Sequence, residues 1–381
     1  MGLQFGSEKC VKMHIGKNHS KEKCGEGKVD SWKTEINGDT LEDIYEGKVE
    51  MKTVSEKKYL GEIISSDMKN EKNIKDKTNK ATGNVNKIIS SLKERPFGKH
   101  YFKAAKLMRD GMLIGSLLNN AETWINVTKK DIEKLEKPDV MLQEKLFSVK
   151  ASKVFQYLEF GILPAKYLLI GKRLKFWKYI LNESTESMIR QVYEEQKKDS
   201  RKGDFNSLIK EDMKEIKLEV VDEQVRSMSK TKWKTFVNEK IEAAAFEYLN
   251  RENEKKQKTK RIKFDKLEMN NYLNENQNTK LSKTIYSIRA GVFDVKAANQ
   301  WKYEDNLCVA CNVFEETMQH FMTCEKYERP NISNWEDIYE KDSNTKTKVK
   351  IAKEALERKK KRDKIIHEDG LASSLAPPAP L

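Results

Sequence analysis

Pro164-Ala165-Lys166-Tyr167-Leu168-Leu169-Ile170-Gly171-Lys172-Arg173-Leu174-Lys175-Phe176-Trp177-Lys178-Tyr179-Ile180 decides the fold class. Tyr167, Leu168, Ile170, Leu174, Trp177 and Ile180 recur at the three-to-four-residue spacing of a helix face. Pro164 suits the first helical position, where the N–H it lacks would be unpaired anyway. The same reading extends in both directions. Ile132, Leu135, Met141, Leu142 and Leu146 form a stripe behind a Thr128/Asp131 capping pair, and Pro138 is expected to kink or split that helix. A helix is expected over about 99–118, with Phe102, Ala105, Leu107, Met108 and Leu113 apolar. Before it, Ile74, Val85, Ile88, Ile89 and Leu92 give another, ended by Pro96. After a break at 199–206, helices are expected around 205–219, 222–249, 265–276 and 281–298. Residues 345–368 read as a charged helix with little core face, and 372–381 as a disordered tail rich in small residues and proline.

Residues 1–66 differ. Val11, Met13 and Ile15 alternate with Lys12 and His14, which is strand periodicity. Residues 17–47 are polar and dotted with glycine. Tyr59–Ile64 reads as a short strand in which Gly61 allows a bulge or a close approach. The expected fold is therefore mainly α, with a small α+β part at the N-terminus. The expected segments are 1–66, 67–200, 201–300, 301–330 and 331–381.

Of 381 residues, 37% are hydrophobic and 35% charged, which favours long amphipathic helices with wet outer faces over one thick core. Lys and Arg number 74 against 60 Asp and Glu, a net charge of +14. Such a chain is drawn to polyanions, nucleic acid above all. Most helices mix Lys with Glu, as a merely solvated surface would. Two stretches do not. Lys255-Lys256-Gln257-Lys258-Thr259-Lys260-Arg261-Ile262-Lys263 contains no acid, and Arg358-Lys359-Lys360-Lys361-Arg362 is uniformly basic. Either could follow a phosphate backbone, and the second could also direct nuclear import. No apolar run approaches the roughly 18 residues of a membrane span. The start, Met1-Gly2-Leu3-Gln4-Phe5-Gly6, lacks the pattern of a signal peptide. A nuclear or cytoplasmic location is expected, without membrane association. Five cysteines, an odd number, argue against a disulfide framework.

The sharpest motif is Cys308-x2-Cys311-x8-His320-x3-Cys324. Zinc takes four thiolate or imidazole ligands in a tetrahedron. A Cys-x2-Cys turn supplies two of them. A His and a Cys four apart share a helix face and supply the others. With every position filled by protein, the ion is structural rather than catalytic. Three thiolates leave a local charge near −1, which Lys302 and Lys326 are expected to offset. Cys10, His14, His19 and Cys24, spaced x3, x4 and x4, are a weaker metal candidate because no tight Cys-x2-Cys pair anchors them. Trp124, Trp177 and Trp233 read as core. Trp301, beside Lys302 and Tyr303, is the best placed to stack on bases. There is no Gly-rich phosphate loop and no Gly-x-Ser-x-Gly.

Several segments, in order, resemble the reverse transcriptases of non-LTR (LINE-like) retrotransposons. Phe5-Gly6-Ser7-Glu8-Lys9-Cys10-Val11-Lys12-Met13-His14-Ile15-Gly16-Lys17 resembles the strand following the catalytic aspartates. Lys57-Lys58-Tyr59-Leu60-Gly61-Glu62-Ile63-Ile64 resembles the short Tyr-Leu-Gly motif of the palm. Pro96-Phe97-Gly98 through Ala121-Glu122-Thr123-Trp124 looks like the helical thumb, and Ile132-Glu133-Lys134-Leu135-Glu136 continues that pattern. Glu159-Phe160-Gly161-Ile162-Leu163-Pro164 is similar to another recurring segment. The knuckle lies where many such elements carry theirs. The resemblance covers roughly residues 3–327.

It implies a palm remnant at 1–66, a thumb-like helical domain at 67–200, a helical connector at 201–300, a zinc knuckle at 301–330, and a charged helix and tail. It further implies RNA and DNA, as a template–primer duplex, for partners. Lys99, Lys103 and Lys106 on the thumb, Lys255, Lys256, Lys258, Lys260 and Arg261 on the connector, and Trp301 are the expected contacts. Two departures qualify this. The chain contains no Asp-Asp dipeptide, although nucleotidyl transfer needs palm carboxylates on two Mg²⁺ ions. The sequence also starts after the place where that turn would lie. The expectation is a nucleic-acid-binding fragment of a reverse transcriptase (an RNA-directed DNA polymerase) without its own catalytic residues, Mg²⁺ belonging only to the missing palm. The alternatives are part of an active reverse transcriptase and a helical, zinc-containing protein-interaction module.

Overall fold

The structure, a computed structural model, describes residues 50–374 except 60, 68, 95–96, 200, 202, 277, 304, 328–333 and 341–343, together with segments at 11–12, 29–31, 35–36 and 39–40. The architecture is mainly α. Strand β1 (Val11–Lys12) pairs in parallel with β5 (Glu50–Thr53), and β2 (Val29–Ser31) pairs antiparallel on the other side of β5. Strands β3 (Glu35–Ile36) and β4 (Asp39–Thr40) form a separate pair. Tyr59–Ile64 is not one strand. It is split between β6 (Glu56–Tyr59) and β7 (Glu62–Ser65), an antiparallel hairpin with Tyr59 opposite Glu62. Gly61 sits in the turn at φ +85°, a conformation that only glycine adopts freely.

Helix α1 (Glu71–Glu94) buries Ile74, Ala81, Val85, Ile88 and Leu92 on one face. The hairpin is fastened to it through Glu62, which accepts from the Asn73 amide and pairs with the buried Lys77. Helix α2 (Tyr101–Met108) runs directly into a π-helical stretch, Arg109–Ile114. Arg109 opens that stretch and is buried against Asp139, with two bonds of 2.8 and 2.5 Å. Helix α3 (Lys129–Phe147) starts at the Thr128/Asp131 capping box. Pro138 does not split it. The proline deletes one backbone hydrogen bond, but Leu135, Asp139 and Leu142 around it are all held in the interior.

Helix α4 (Lys153–Phe160) ends at Gly161, φ +63°. A Cβ there would lie 2.1 Å from the Glu268 carbonyl carbon, so residues 268–269 cross this point only because no side chain is present. Helix α5 (Ala165–Asn182) follows, with Pro164 just outside its first turn. It is apolar around much of its circumference because it serves two cores. Ala165 and Leu169 join a cluster that extends from Ile74 to Ala355. Tyr167, Ile170, Leu174 and Trp177 join a second one, where Trp177 and Trp233 meet edge-to-face at 5.9 Å. The first core is centred on Phe147, stacked between Phe102 at 5.1 Å and Tyr286 at 3.7 Å.

The later helices are α6 (Met188–Lys198), α7 (Phe205–Glu215), α8 (Asp222–Ser227), α9 (Lys230–Glu254), α10 (Asn271–Glu275) and α11 (Thr279–Arg289). Three expected spans differ from the observed helices, each for a local reason. The span 222–249 breaks at Met228, because Ser229 caps α9 while the Lys178 ammonium takes the carbonyls of Val225 and Met228, both at 2.7 Å. The span 265–276 shrinks to α10, because the chain before it crosses Gly161 and its Asn270 amide donates to the Glu159 carbonyl. The span 281–298 ends at Arg289, with Gly291 at φ +66° just beyond. Helices α12 (Met318–Thr323) and α13 (Thr345–Ser374) complete the chain. Helix α13 has a definite core face, contrary to expectation: Ile351, Ala352, Ala355, Arg358 and Arg362 are buried.

Candidate metal centre

Cys308 and Cys311 flank a turn closed on both sides. The Cys308 amide donates to the Phe314 carbonyl, and its carbonyl accepts from the Asn312 amide, both at 2.7 Å. Asn312 takes the left-handed conformation, φ +51°, that brings the chain back. Helix α12 then begins at Thr317, whose hydroxyl caps the His320 amide. Cys324 ends that helix, its amide on the His320 carbonyl. Sequence spacing and helix geometry thus aim four donors at one point.

The donor atoms of Cys308, Cys311, His320 and Cys324 all lie within 4.8 Å of one another. The Cys308 and Cys324 sulfurs are 3.9 Å apart, and Cys311 Sγ is 3.3 Å from His320 Nε2. Sulfurs held about 2.3 Å from a tetrahedral zinc sit about 3.8 Å apart. The donor set and its spacing are compatible with a structural zinc ion. Cys308 and Cys324 are buried, Cys311 and His320 half-buried. Burial pushes the Cys308 thiol up to about 12. Burial acts the same way on Cys311, but the amides of Phe314 and Val313 and the His320 ring outweigh it and bring that thiol down to about 6. A bound cation would hold both as thiolates.

What surrounds the cluster was largely hidden in the sequence. Glu316 is fully buried beside it and accepts from the amides of Lys296 and Val309 and from Arg362. Arg358 donates to the carbonyls of Phe321 and Cys324, at 3.0 and 3.1 Å, where α12 ends. Both arginines come from α13 and are 1% exposed. The Arg358–Arg362 run is therefore not a free basic stretch. Arg358, Arg362, Ile351 and Ala355 recur at helical spacing, which is the one signal that could have placed them inward. Lys302 is drawn to Asp294 at 3.4 Å, and Arg358 is the cation that reaches the backbone of the cluster.

The other expected contacts are scattered. Lys99 and Lys103 are exposed and, with His100 and Lys106, line a groove of about 720 Å³ faced by Glu268 and Glu275. Lys106 is half-buried, and its ammonium donates to the Gly161 carbonyl at 2.5 Å. Lys255, Lys256, Lys258 and Lys260 are exposed, while Thr259 between them is buried on Asn253. Lys255 pairs with Glu252, and the Arg261 guanidinium lies 3.5 Å from the centre of the Tyr339 ring. Trp301 is 81% exposed, with the Lys302 ammonium 5.6 Å from its ring, whereas Trp124, Trp177 and Trp233 are core. Cys10, His14, His19 and Cys24 lie outside the described residues. Among the described residues, no helix is long and apolar enough to cross a membrane. No protein-family model, curated protein or solved structure matches the chain.

Proposed function

We propose that this chain is the nucleic-acid-holding, C-terminal part of a non-LTR retrotransposon reverse transcriptase. In this reading the knuckle carries a structural zinc ion, and the chain lacks the carboxylates for nucleotidyl transfer. The observation that carries the reading is the adjacency of segments whose order forms the resemblance. Glu62, in the stretch similar to the palm's Tyr-Leu-Gly motif, accepts a hydrogen bond from the Trp124 indole at 3.2 Å. Trp124 closes the thumb-like stretch. Hairpin and helices are thus one mechanical unit, as a surface that grips a duplex beside a palm must be. Lys99 and Lys103 add exposed charge on that unit, and lysines bind phosphates as point charges without reading bases.

The reading is tested with a labelled RNA–DNA duplex and the zinc-loaded chain. Gel shift should show binding that changes little with sequence, and primer extension with Mg²⁺ and nucleotides should yield no product. Extension of the primer would assign the chain to an active polymerase instead. A second reading, a protein-interaction module, is favoured by one feature: Trp301, Leu307, Val313 and Phe314 expose apolar surface around the knuckle. A chain that binds neither RNA nor DNA would favour it.

A further inference from the structure

Helices α11 and α13 and the turn after α3 enclose a groove of about 660 Å³. Four lysines line it, Lys280 and Lys283 from α11 and Lys359 and Lys360 from α13, against two acids, Asp294 and Asp363. Both acids are already engaged. Asp294 pairs with Lys359, Arg362 and Lys302, and Asp363 pairs with Arg362. Among the described residues, Lys280, Lys283 and Lys360 have no acidic partner. Lys280 and Lys360 are exposed, and Lys283 is half-buried with its ammonium 5.9 Å from the Tyr101 ring centre.

The placement of Lys280 runs against helix electrostatics. Helix α11 has no acid in its first turn and carries Lys280 there instead. A cation at that end opposes the macrodipole, whose positive pole favours an anion. Burial and nearby Lys93 both disfavour a charged Lys283, holding its ammonium below the usual lysine range. The charge of an external anion in the groove would offset all three costs. The walls come from three elements far apart in sequence: the basic run at 358–362 supplies Lys359 and Lys360, while Lys280 and Lys283 belong to neither basic run.

We propose that this groove is the track for a nucleic-acid phosphate backbone, with Lys280, Lys283 and Lys360 as its contacts. This rests on the nucleic-acid reading above and gives it a specific surface. Lysine ammoniums on phosphate oxygens position a strand and carry no base preference.

The test is fluorescence anisotropy with a labelled single-stranded RNA and the full, zinc-loaded chain. K280E/K283E/K360E is compared with K230E/K232E/K234E, an equal charge change at exposed positions on α9. The groove variant should bind at least about tenfold more weakly, with a log–log salt slope smaller by about 2 to 3. The control should stay within about twofold of the parent. K280E/K360E, confined to exposed positions, should still show most of the loss if K283E disturbs folding, which a thermal melt reports. Equal effects of groove and control variants would overturn the groove while leaving the nucleic-acid reading intact. A parent chain that binds no RNA would overturn both.

Discussion

Arg358 lies in the most basic run of the chain and yet is 1% exposed. A guanidinium that donates to two carbonyls at the end of α12 is favoured by the dipole of that helix as well as by the bonds. Its removal should loosen the backbone that carries Cys324 without touching a ligand. Arg358→Met is expected to weaken zinc binding about 10- to 100-fold, as losses of supporting contacts around metal sites do, while Lys360→Met leaves it unchanged. Competition with a chromophoric chelator measures both. Asp294 offers a pH test. Burial would raise its pKa, but Lys359, Arg362 and Lys302 bring it down to about 2. A carboxylate depressed in the folded state contributes stability above its unfolded pKa and loses it as pH falls through the folded one. Here the window runs from about pH 4 to about pH 2, with on the order of 2 kcal/mol at stake. Asp294→Asn should flatten acid unfolding in that window, seen in denaturant midpoints at successive pH values. An unchanged profile would show that the pairing contributes nothing. Gly161→Ala, forced against the backbone of Glu268 and Met269, should destabilise by about 2 to 4 kcal/mol.

At the scale of elements, what the sequence made legible follows from which residues build each face. The faces of α1, α3 and α5 are made of Leu, Ile, Val, Tyr and Trp, so their period is visible. The face of α13 is Ile351, Ala352, Ala355, Arg358 and Arg362, and its two arginines are inward because Glu316 and the α12 carbonyls wait for them. Apolar periodicity reaches only Ile351 and Ala355; that the arginines continue the same face shows only in their helical spacing from these two. The Tyr59–Ile64 stretch misleads differently: Gly61 is equally at home in a bulge and in a turn, and the partner strand Glu56–Tyr59 is too polar to show a strand's alternation. The candidate metal ligands were legible because chemistry fixes their type and spacing, whereas the residues around them are fixed only by tertiary contact. One consequence concerns α13 as a unit. A chain ending at residue 344 should retain all four ligands yet bind zinc more weakly and exchange the α12 amides faster. Hydrogen exchange with and without zinc reads this out, and identical protection in the two chains would show that α13 is a passive appendage.

Across the whole molecule, buried ion pairs join segments that are distant in sequence. Glu159 and Arg289 are 130 residues apart, at most 1% exposed, and linked at 2.6 and 3.1 Å, with Tyr272 also donating to Glu159. Arg289→Met leaves a buried carboxylate without its partner and should cost about 3 to 5 kcal/mol. Replacing both, E159L/R289M, should recover much of that loss. If the single and double variants melt alike, the cost lies in shape rather than charge. These pairs, the shared helix α5 and the contacts of α13 with the knuckle tie distant segments of a basic chain into one framework. In the proposed reading this framework holds nucleic acid by its phosphates. The most direct measurement is the affinity of the zinc-loaded chain for one RNA and one unrelated RNA of equal length, from about 50 to about 200 mM salt. Both should bind, and log affinity should fall linearly with log salt at a common slope of several units. Affinity that stays flat as salt rises, or no binding at the lowest salt, would contradict the account.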